Sequence, residues 1–132
     1  MFIGDFRPEG SILASPENRE YLASEQGLER AMNEGVILEA TVLLCDTAMR
    51  LHVDLGCMRG IIERSEAVAT RRGEIVKDIA IITRVGKPVC FKVIGFTQER
   101  GEVVALLSRR AAQIECMQNY LGDLIAGDQR LQ

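Results

Sequence analysis

Residues 36–45, VILEATVLLC, alternate: Leu38, Ala40, Val42 and Leu44 fall on one side, Glu39 and Thr41 on the other. A period of two with β-branched and aliphatic residues predicts a half-buried first strand. RLHVDL repeats the pattern, with Leu51, Val53 and Leu55 facing in and Arg50, His52 and Asp54 facing out. Between them CDTAM predicts a turn, because Asp46 and Thr47 can bond their own backbone. Gly56 breaks the second strand and RGII reads as the third, with Ser65 expected to cap a short helical turn over EAV. KDIAIITRV fits a short amphipathic helix and a buried strand equally well, and Gly86 and Pro88 stop it. PVCFKVIGF is expected as the fourth strand, with Val89, Phe91 and Val93 inward, TQERG as a hairpin loop around Gly101, and EVVALLS as the fifth strand. Five short strands in succession predict a small closed barrel, which leaves no open sheet edge.

At both ends the period changes. The leader up to Ala14 holds Pro8 and Gly10 without periodicity and is expected as an arm, loose or laid on the surface. Ser15, Pro16 and Glu17 then form a helix start, and a second helix is expected from the Ser24 cap to Gly35, with Leu28, Ala31 and Met32 on one face. Ser108 is the expected cap of SRRAAQIECMQNYL, whose Ala111, Ile114, Met117 and Leu121 share a face that would lie across the barrel. The expected fold class is therefore all-β, a five-stranded barrel over 35–108, with an N-terminal helical extension over 1–34 and a C-terminal helix over 109–132.

Composition changes this picture little. The 132 residues are 47% apolar and 27% charged, enough for one modest core. No long apolar window and no leader-like start is present, so no membrane partner and a cytoplasmic location are expected. Cys45, Cys57, Cys90 and Cys116 lie 12, 33 and 26 positions apart, and with a single histidine this predicts reduced thiols and no metal site. Of the net charge of −3, residues 1–35 carry seven acids against three bases, while 36–108 carry nine against ten. A mildly basic middle permits an anionic partner without requiring one.

The pattern G-x-x-L-x-A-x-V, then LHVDLG, R-G-I-I-x-x-S-E, V-G-K-P-V-x-F-K-V-I and ALLSRRAA resembles the RNA-binding repeat of bacterial ribosomal protein S-one, across roughly Gly35 to Ala112. The resemblance implies an OB-fold barrel of that type and a single-stranded RNA partner on the outer face of the second and third strands. It also implies the first repeat of a longer tandem protein, since YLGDLIAGD stands where a second repeat would open. In such repeats aromatic rings stack on bases at about 1–3 kcal/mol each while basic side chains follow the phosphates. The resemblance carries the first aromatic position onto Met49, the second onto His52, the histidine before Ser-Glu onto Glu63, the acidic position opening the last hairpin onto Thr97, and the loop arginine onto Arg100. Arg50, Arg59 and Arg64 are the expected phosphate contacts, and Arg71 and Arg72, beside Gly73, secondary ones.

His52 reads as a stacking ring or as a plain surface histidine, and Cys57 as a loop thiol, because nothing at recognisable spacing would complete a Cys-His site. No paired carboxylates, phosphate loop or triad is present, so neither an enzyme nor a cofactor is expected. The alternative to RNA binding is a degenerate repeat that docks on the ribosome or another protein, which the missing aromatics and acidic leader suit.

Overall fold

The computed structural model describes residues 9–68 and 78–116. Two helices come first, α1 (Pro16–Leu22) and α2 (Glu25–Glu34). Ser15 Oγ accepts from Asn18 N–H at 3.1 Å and Ser24 Oγ from Gly27 N–H at 3.0 Å, so both expected caps close their first turns. Gly35 ends α2 at φ +69, the left-handed conformation that costs a glycine least.

Five strands follow: β1 (Ile37–Cys45), β2 (Leu51–Asp54), β3 (Arg59–Ile62), β4 (Pro88–Glu99) and β5 (Glu102–Ser108). They close on themselves in the order β1-β2-β3-β5-β4, antiparallel throughout except for the parallel β3–β5 pair. The result is a closed mixed sheet, roughly OB-like. A short helix, α3 (Asp78–Ile82), joins β3 to β4, and residues 109–116 are helical. All-β is thus too narrow a class, because helices account for much of what covers the sheet. The leading residues 1–8, the connection 69–77 with Arg71 and Arg72, and the expected tail face at Met117 and Leu121 lie outside the described residues.

The inward alternation holds for most positions. Leu38, Ala40, Val42, Leu51, Val53, Leu55, Val89, Phe91 and Val93 form one buried core, which Leu28 and Ala31 of α2 join from outside the sheet. Leu44 departs from it and is 41% exposed. Val42 pairs with Val53 but Leu44 pairs with His52, so a bulge at Leu43 inserts one residue and turns Leu44 to the outer face. Glu39, expected at the surface, is buried, because α1 and the arm cover it. Asn18 accepts from Glu39 N–H at 2.8 Å and donates to Glu39 C=O at 2.9 Å, while Glu39 Oε1 accepts from Ile12 N–H at 3.1 Å.

Two local expectations are also corrected. The stretch TQERG is not a loop: β4 continues to Glu99, and only Arg100 (φ 54) and Gly101 (φ 80) turn, both left-handed as a two-residue hairpin requires. Ser65 lies within a 3₁₀ turn, Arg64–Glu66, whose N-cap position is Glu63 and has no side-chain cap. The ambiguous KDIAIITRV resolves as helix from Asp78, after which Gly86 N–H donates to Val42 C=O and Val42 N–H to Lys87 C=O, pinning the connection beside the bulge.

Candidate nucleic-acid interface

Register decides which side chains share the outer face. Leu44 pairs with His52, His52 with Ile61 and Ile61 with Leu106, which makes one row across β1, β2, β3 and β5. Arg59 pairs with Val104, Val104 with Thr97, and Glu102 with Glu99, which makes a second set on the same face. Together they enclose a cleft of about 400 Å³ lined by Leu44, Asp46, Arg50, His52, Arg59, Ile61, Glu99, Arg100, Glu102 and Val104. Ile61 and Val104 are buried yet stand apart from the central core, so the cleft has an apolar floor of its own. Its rim is ionic and of both signs.

Asp46 organises one end. Its Oδ1 accepts from Ala48 N–H at 2.9 Å and Arg50 N–H at 3.0 Å, the self-bonded turn its position predicts. Its Oδ2 accepts from Arg50 Nε at 2.9 Å and lies 2.8 Å from His52 Nε2. Burial pushes this carboxyl up, but the bonds from His52, Arg50 and Ala48 outweigh it and hold Asp46 well below the usual carboxylate range. An ionised carboxylate only accepts, so His52 Nε2 carries the proton in this pair. His52 Nδ1 is buried and has no hydrogen-bond partner among the described residues.

Arg50 continues the chain of charges. Its Nη1 donates to Glu99 Oε2 at 2.7 Å and stands 3.6 Å from Glu63. The bonds to Glu99 and Asp46 raise its already high pKa further. Arg50 is therefore held by internal acids. The side chains of Arg59, Arg100 and Glu102 line the cleft and make no hydrogen bond or ion pair among the described residues.

The expected site residues thus separate. Arg50, His52, Arg59 and Arg100 come together in the cleft. His52 is on the expected face but only 8% exposed, and its Nε2 is held by Asp46 at 2.8 Å. Met49, at φ 62 in the turn, packs against the core. Glu63 is half exposed beside Arg50, Arg64 pairs with Asp78, and Thr97 borders the cleft through Val104. Sequence reasoning missed Asp46, Glu99 and Glu102. The strict alternation back from Val104 would have placed Glu102 on this face, whereas Glu99 was obscured by the expected loop.

Elsewhere, Cys57 opens on a separate cavity beside Arg19 and Leu22, away from the His52 cleft. Arg109 is buried, donates to Glu9 at 2.8 and 2.5 Å and to Ala67 C=O at 3.0 Å, and so finds its acidic partner inside the fold. Among the described residues, no helix is long and apolar enough to cross a membrane.

No family model matches the chain, and no curated protein matches it.

Proposed function

We propose that this chain is a non-enzymatic, single-stranded RNA-binding module, an OB barrel of the S-one type, whose binding is weak, of low sequence specificity and strongly dependent on salt. One observation carries the reading: Arg59 and Arg100, both without internal partners among the described residues, stand on the rim of an apolar-floored cleft on the outer face of β2, β3 and β5. A nucleobase needs an apolar surface to lie on, and its phosphates need cations nearby that are not already neutralised. Leu44, exposed by the bulge, supplies part of that surface. The buried edge of His52 and the inward Met49 leave no aromatic platform of the usual extent, which is why the expected affinity is low.

The test is titration of a fluorescent oligouridine at about 50 mM and 200 mM salt against the intact chain and R59A/R100A. Saturable binding that weakens with salt, and weakens further by about tenfold in the double variant, supports the proposal. Absence of binding at the lower salt overturns it.

A second reading, a docking module for the ribosome or another protein, is favoured by the balance of charge around the cleft, where Asp46, Glu99 and Glu102 match Arg50, Arg59 and Arg100 and two of the acids already hold Arg50. Capture of a protein partner that depends on Glu99 and Arg50, with no RNA binding, distinguishes it.

A further inference from the structure

Resting on the RNA-binding reading, we infer that the cleft selects guanine at one nucleotide position and that Glu102 is the residue that does so. Three carboxylates line the cleft, and two are committed: Asp46 to His52 and Arg50, Glu99 to Arg50. Glu102 is exposed and its side chain is without a partner among the described residues. It precedes Val104 by two residues on β5 and so stands on the same face as the apolar floor, while Arg59 is the cross-strand neighbour of Val104 on β3. A base entering the cleft above the buried Val104 and Ile61 would present its hydrogen-bonding edge to Glu102, with Arg59 and Arg100 on the same rim for the flanking phosphates.

An ionised carboxylate is acceptor-only, with two parallel oxygens. Guanine alone among the four RNA bases offers two adjacent N–H donors on its Watson–Crick edge, at N1 and the exocyclic N2. Adenine and cytosine offer one amino group beside an acceptor nitrogen, and uracil one N–H between two carbonyls; each sets an acceptor against a carboxylate oxygen. Splayed single-stranded bases are read on this edge. The negative charge that weakens phosphate binding in this cleft is therefore also what discriminates between bases.

The experiment compares short fluorescent oligonucleotides at low salt: uridine and adenosine tracts, a uridine tract with one central guanosine, and the same tract with inosine, which keeps N1–H but lacks the N2 amine. The guanosine tract is expected to bind about tenfold more tightly than the uridine tract, inosine to lose most of that gain, and E102Q to bring the guanosine tract down to the uridine level. Equal affinity for guanosine and uridine tracts, or a preference that survives E102Q, overturns the inference while leaving the RNA-binding reading intact. No binding of any tract overturns both.

Discussion

Glu9 and Arg109 lie 100 residues apart and meet in a bidentate pair, Arg109 Nε to Glu9 Oε2 at 2.8 Å and Arg109 Nη2 to Glu9 Oε1 at 2.5 Å. The same Glu9 Oε2 accepts from Cys90 N–H at 2.9 Å, on β4 just before its pairing with β5 begins at Lys92 and Ser108. The arm thus supplies an acceptor to a strand donor that the sheet leaves unpaired. Burial raises the Glu9 carboxyl, but Arg109 and the Cys90 amide outweigh it and hold it below its usual range.

Replacing Arg109 by methionine removes a cation that is almost wholly buried and leaves Glu9 and the Ala67 carbonyl without it. A loss of about 3 kcal/mol is expected, measured by urea unfolding. E9Q, which keeps an acceptor for the Cys90 amide, is expected to cost less.

Asp46 makes stability depend on pH. Its folded-state pKa lies below its unfolded value, so its contribution is complete above about pH 4 and is lost as the pH falls below that. D46N is expected to lower stability by about 2 kcal/mol at pH 7, with the gap to the parent protein closing as the pH falls from about 4. Thermal or urea melts across that range read both quantities.

Asn18 ties α1 to β1 through two buried hydrogen bonds to the Glu39 backbone. N18A leaves both backbone groups unpaired and is expected to cost about 2–3 kcal/mol. Hydrogen exchange in the variant should show the arm and α1 opening more readily, with β4 and β5 still protected.

Gly60 sits on β3 where an added Cβ would lie 2.5 Å from Leu107 Cδ1 and 3.2 Å from Leu55 Cδ1. Both leucines are buried, so neither can move aside freely. G60A is expected to destabilise by about 1–3 kcal/mol through overpacking, read as a lowered Tm.

The thiols should separate by accessibility. Cys57 is exposed, whereas Cys90 is buried and its thiol is pushed up to about 12 by burial and by Glu9. A thiol-specific reagent at pH 8 is expected to label Cys57 in the native protein and Cys90 only after unfolding; labelling of Cys90 in the native state would contradict this packing.

Much of the frame was legible because it depends on near neighbours in the chain. Period-two alternation set the inward faces of β2 and β4, and the serine caps and Gly35 bounded α1 and α2, since each is an interaction across a few residues. What alternation could not reveal was any change of count within a strand. One extra residue at Leu43 reversed Leu44, and a two-residue turn at Arg100 and Gly101 extended β4 over what composition marked as loop. Ser65 failed as a cap because the chain there had already entered its turn.

The sequence by itself determined that the chain would alternate into a five-stranded core between helical ends, and that Arg50, His52 and Arg59 would share a face. Only the tertiary structure decided which of these charges are free. Ion pairs form between residues that the fold brings together, such as Arg50 with Glu99, 49 residues away, and Arg109 with Glu9. Their strength depends on burial and distance, neither of which is written in local order along the chain.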